Sequence, residues 1–157
     1  MSDPDLIRAL SDLTLAVRGG IPVTIVDPRR EASIYYSGRG NITAAGTLVV
    51  WAVPAEKRFL LKGFIVTAVV TDTLAAASGE AGILYFLDDA DSDRPVCPIG
   101  AFDDTAAIGT WFNRDVPDLG SGIRGSALGS NLKIAFYEDI GGGNIEVQWC
   151  VWGDEIP

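Results

Sequence analysis

The sequence contains no histidine, and that absence removes several kinds of chemistry at once. Ser-His-Asp and Cys-His arrangements both need an imidazole to take the nucleophile's proton. Zinc sites built on imidazole go too, and the two cysteines, Cys97 and Cys150, are too few for a four-thiolate site. Barrel enzymes that hold their metal through histidines are disfavoured on the same ground. Positive charge is also scarce: 12 Lys and Arg stand against 21 Asp and Glu, a formal net charge of −9. Only Arg29–Arg30 and Lys57–Arg58 are adjacent basic pairs. Such a surface repels phosphate, which argues against nucleic acid and against an anionic membrane as partners.

No apolar run is long enough to span a bilayer, and Lys62 interrupts the best candidate. The opening "MSDPDLIRAL" is acidic where a secretion signal would be basic, so synthesis in a cytoplasm is expected. In that compartment Cys97 and Cys150 are expected to be reduced, buried thiols rather than a disulfide.

What is present suits a folded domain. Nearly half of the 157 residues are apolar, enough for one domain with an appendage. Residues 3–18, "DPDLIRALSDLTLAVR", predict a helix: Asp3 caps it, Pro4 suits its first position and Gly19–Gly20 ends it. Leu6, Leu10, Leu13 and Val17 follow a heptad spacing. They form either a seam between copies, as in a trimer, or a stripe docked on the chain's own body. The texture then becomes extended. "IPVTIVDP", with Val23 and Ile25, and "ASIYYSGRGNITAAG" read as short strands in an arm. From Gly46 onward about eight strands follow one another. "TLVVWAVP" and "RFLLKGFIVTAVVT" flank the turn "AEK", and the second is apolar on both faces, as a strand buried between two layers would be. "LKIAFYED" and "NIEVQWCVWG" read as a hairpin closed by "DIGGGN". In the last strand Ile145, Val147, Trp149 and Val151 share one face. The expectation is an all-β chain: an N-terminal helix and arm over 1–45, then an antiparallel β-sandwich or jelly-roll barrel over 46–157.

Three features invite a functional reading. In "LDDADSDRP", Asp89, Asp91 and Asp93 have the alternate spacing that opens a calcium loop. The sixth and twelfth positions of such a loop should be glycine and glutamate but are Arg94 and Gly100. The stretch therefore reads as a solvated acidic turn in which Arg94 neutralises a carboxylate, with those three aspartates the only metal candidates. Asp103, Asp104 and Asp115 could supply an acid and a nucleophile for glycoside hydrolysis, but adjacent aspartates more often cap turns. Trp51, Trp111, Trp149 and Trp152 could stack on sugars, although tryptophans within strands usually pack in a core. Trp152, off the core face and near the C-terminus, is expected to be exposed or covered by a neighbouring subunit. "GSGIRGSALGS" lacks the lysine and the helix of a phosphate loop. No catalytic residue and no cofactor are expected.

Three stretches taken in order carry a resemblance. They are the N-terminal helix ending in glycines with its "IPVTIVDP" arm, then "GTLVVWAVPAEKRFLLKGFIVTAVV", then "LKIAFYEDIGGGNIEVQWCVWGDE". Together they resemble small virion proteins of tailed bacteriophages: capsid decoration proteins, head fibres and short fibre heads. The resemblance implies a non-enzymatic structural protein, made in the host cytoplasm and carried on the virion. It implies a homotrimer that binds the major capsid protein or other virion proteins. Leu6, Leu10, Leu13, Val17, Val23, Ile25 and Trp152 would then carry the assembly contacts. A receptor- or glycan-binding fibre head is the alternative, and a glycoside-active enzyme the third reading.

Overall fold

A computed structural model describes residues 32–43, 45–75, 82–103, 105–138 and 140–157. The expected helix over 3–18 lies outside these residues, as do Leu6, Leu10, Leu13, Val17, Val23 and Ile25. Nine strands are described: β1 (Ile34–Thr43), β2 (Thr47–Trp51), β3 (Arg58–Ala75), β4 (Ile83–Asp88), β5 (Arg94–Ala101), β6 (Trp111–Val116), β7 (Ile123–Arg124), β8 (Leu132–Phe136) and β9 (Gly142–Ile156).

They form two antiparallel sheets. The first has the order β1-β9-β3-β6, with the short β7 also on β3; the second has the order β2-β8-β4-β5. Four of the pairings are nested in the sequence: β4 with β5, β3 with β6, β2 with β8 and β1 with β9. One long antiparallel ribbon, rolled so that β9 meets β3 and β8 meets β4, produces both sheets.

Alternation sets the core. On β3, Phe64, Val66, Ala68 and Val70 are buried, while Ile65, Thr67 and Val69 on the other face are half-buried. On β9, Ile145, Val147 and Val151 point the same way as the buried β3 set. The second sheet meets them with Leu84 and Phe86 from β4 and Leu132 and Ile134 from β8. Phe64 and Phe86 join the sheets edge to face with ring centroids 4.9 Å apart, a favoured aromatic geometry. A register shift between Leu61 and Gly63 moves the inward set from Phe59 and Leu61 to Phe64 onward, and leaves Gly63 opposite Trp152.

Several expectations change. "DIGGGN" does not close a hairpin, because β8 and β9 belong to different sheets; this connection crosses between layers, as "AEK" does between β2 and β3. β3 is central within its sheet, and its outward residues Ile65, Thr67 and Val69 are half-buried. Part of the expected arm, Ile34–Thr43, is a strand of the body, paired with β9 along its whole length. The stretch "SGIRGSALG" contributes only the two residues of β7.

Candidate functional site

The acidic turn joins β4 to β5 through one 3₁₀ turn, Asp89–Asp91. Its first carboxylate is not solvated. Asp88 is fully buried and accepts hydrogen bonds from the Ser126 amide at 2.5 Å and the Ala90 amide at 3.2 Å. Arg94 stands 3.6 Å away, the neutralising partner the sequence suggested. Burial alone would raise the Asp88 pKa, but the hydrogen bonds from Ser126 and Ala90 outweigh it and hold the carboxyl below its ordinary value. Asp89 accepts from the amide and the side chain of Asn131, at 2.6 and 2.8 Å. The Lys133 amine lies between Asp89 and Asp93, at 3.8 and 3.1 Å. These carboxylates tie the turn to the glycine-rich stretch and to β8. Ser92 and Asp93 adopt left-handed backbone angles, which a short polar side chain tolerates. Nothing in the spacing of "GSGIRGSALGS" reveals that its Ser126 amide anchors Asp88. Among the described residues no group of three or more Asp, Glu, Cys or His is placed to hold a metal.

The other acidic residues are dispersed. Asp103 lies in the loop after β5 and Asp115 on β6, both exposed, while Asp104 is outside the described residues. Composition and spacing missed Asp154. It binds Lys62 at 2.7 Å and accepts from the amide and hydroxyl of Ser33, at 3.0 and 2.5 Å. The hydrogen bond from Lys62 is the main reason its pKa falls to about 2, with Ser33 adding to it. Cys97 and Cys150 are not joined in a disulfide, and both are half-buried where burial was expected; burial raises the Cys97 pKa, and the nearby Arg114 charge partly offsets this.

The tryptophans sort differently from the expectation. Trp51 is fully buried, with its indole N–H donated to Glu155 at 3.2 Å. Trp152 is 1 % exposed, so the expectation of an exposed C-terminal tryptophan is corrected. Its indole lies on Gly63, where any Cβ would come within 2.6 Å of the ring. Trp149 faces the core as the alternation predicts, but it is only half-buried; its ring rests on Gly38 at the edge beside β1. Trp111, in contrast, is 67 % exposed at the start of β6, and Ile108 in the preceding turn is 66 % exposed. A shallow depression of about 580 Å³ lies beside Ser37, Arg39, Ile65, Thr67, Gln148 and Cys150 of the first sheet. Among the described residues that line it, Arg39 is the one charged side chain.

The sequence matches no protein-family model and no curated protein. Its structure is similar to phage capsid structures. One is the capsid asymmetric unit of cyanophage Pam1, at 16% identity over 76% of this chain and 82% of that one, with a TM-score of 0.37. Another is the acid-stable capsid of Helicobacter pylori bacteriophage KHP30, at 10% identity over 80% and 93%, with a TM-score of 0.36. Bacillus endospore appendages, which form disulfide-linked pili, are similar at 11% identity over 77% and 88%, with a TM-score of 0.29.

Proposed function

We propose that this chain is a non-enzymatic structural protein of a phage particle, a decoration protein on the outside of the head. The observation that carries this reading is the use of the acidic groups. Asp88, Asp89, Asp93 and Asp154, which could have served a reaction or a metal, are engaged with Ser126, Asn131, Lys133, Lys62 and Ser33. They fasten turns and strand ends of a rigid body, as a load-carrying surface protein requires. The nested strand order supports a jelly roll, and the sequence style of a stem followed by such a body supports a homotrimer. In this reading Leu6, Leu10, Leu13, Val17, Val23 and Ile25 make the assembly contacts, to each other or to the major capsid protein. Trp152 leaves that set, because it is buried. The test is co-sedimentation of the full chain with empty capsids. Saturable, stoichiometric binding is expected, and absence of binding would reject decoration.

Exposed Trp111 favours a second reading, a fibre head that grips a host glycan by stacking. Binding to host cells lost in Trp111→Ala, with no binding to capsids, would select it.

A further inference from the structure

The outward face of the first sheet is more covered than one sheet can account for. By alternation it presents Cys150, Trp152 and Asp154 from β9, with Ile65, Thr67 and Val69 from β3. The second sheet packs against the opposite face. An outward side chain has strand neighbours beside it and none over it, so it stands open to water unless a further layer lies there. Ile65, Thr67, Val69 and Cys150 are half-buried, and Trp152 is buried outright. Gly63 supplies the surface beneath the indole. The other side of the ring is closed as well, and its own sheet cannot close it. Around this strip the same face is open: Ser37, Arg39, Asn113 and Gln148 are exposed. The cover is therefore narrow and runs along β3 and the end of β9.

The chain itself arrives at this face. Residues 1–31 precede Ala32, which is buried. The next residue, Ser33, donates its amide and its hydroxyl to Asp154. Asp154 is the next outward residue after Trp152, so the N-terminal segment joins the body beside the covered indole.

We propose that in the free chain residues 3–18 are a third layer on this face, a helix laid along β3 with Leu6, Leu10, Leu13 and Val17 against Trp152, Ile65 and Val69. The dimensions agree. A helix over 3–18 is about 24 Å long and about 10 Å wide. The strip from Trp152 to Val69 runs about 20 Å along the strand, and two strands span about 10 Å. Residues 19–31, opened by Gly19–Gly20, reach roughly 40 Å when extended, enough for the helix to lie back over the strip. The four apolar residues fall on one side of such a helix, and β3 is apolar on both of its faces, as a strand between two layers requires. The placement concerns the free chain. If the same stripe makes the assembly contacts proposed above, it must first leave this face.

Cys150 lies on the covered strip and reports on it. In a Cys97→Ser chain it is the only thiol. In that background, oxidation of Leu10→Cys or Leu13→Cys with diamide should join the new thiol to Cys150 within one chain, seen as a faster monomer band on a non-reducing gel. Arg8→Cys, on the opposite side of the predicted helix, should not react in this way. Separately, Leu10→Asp combined with Leu13→Asp should raise the rate at which a maleimide labels Cys150 severalfold, with the circular dichroism of the strands retained. If that double variant fails to fold, the disulfide pattern alone decides. No disulfide from either stripe position, disulfides only between chains (which would place the stripe on a second copy), or an unchanged labelling rate in the folded variant overturns the proposal. All of these measurements use the free chain, so their failure leaves the decoration reading to co-sedimentation with capsids.

Discussion

At the scale of single residues, buried or paired carboxylates carry much of the specific stability. Asp88 holds two amides with no solvent to replace it, so Asp88→Asn should cost about 2 kcal/mol, read by chemical denaturation. Asp154 makes a pH prediction. Its folded pKa, about 2, lies below the ordinary value of 3.8. The stability it adds is complete above pH 4 and is lost as pH falls toward 2, on the order of 2 kcal/mol in all. Lys62→Met should flatten that part of the stability–pH profile; an unchanged slope would mean that other carboxylates control acid unfolding. The tryptophans give a ranking. Trp152→Ala should cost about 3–5 kcal/mol through lost burial and a cavity, and Trp149→Ala clearly less, since its ring is already partly in water. Equal losses in the two variants would contradict the packing described for Gly63 and Gly38.

At the scale of strands, the positions of the elements were legible and their partners were not. β-Branched and aromatic runs located β2, β3 and β8, and period-two alternation in β9 placed Ile145, Val147 and Val151 on the inward face. Alternation carries no information about which strand lies beside which. Alternation alone therefore could not tell that "DIGGGN", expected to close a hairpin, crosses between the sheets. It also misplaced Trp152, because the shift at Leu61 to Gly63 creates a glycine platform for an indole on the outward face. Of the acidic turn, the Arg94 partnership was legible because it is local. The Ser126, Asn131 and Lys133 contacts were not, because they are made by chain 38 to 42 residues away. Gly63→Ala tests the platform: a methyl group 2.6 Å from the Trp152 ring should destabilise the fold by about 1–3 kcal/mol through overpacking, read as a lower Tm.

At the scale of the whole molecule, the nested ribbon has a consequence for synthesis. The innermost pair, β4 with β5, is close in sequence and closes over a five-residue connection, Asp89–Asp93. Each outer pair joins a strand made earlier to one made later, ending with Ile42 opposite Ile145. A ribosome releases these strands in order, so β1 is the first of them to emerge and its neighbour β9 the last. β3, the centre of the same sheet, also waits for β9. Closing such distant contacts is slow, because the loop entropy must be lost before burial repays it. The first sheet therefore completes only after β9 has emerged. Stalled nascent chains that end before Gly142 should stay protease-sensitive, while the released protein becomes resistant. Until then the apolar faces of β3 and β8 are open to other newly made chains, and the yield of folded protein should fall as expression temperature and rate rise.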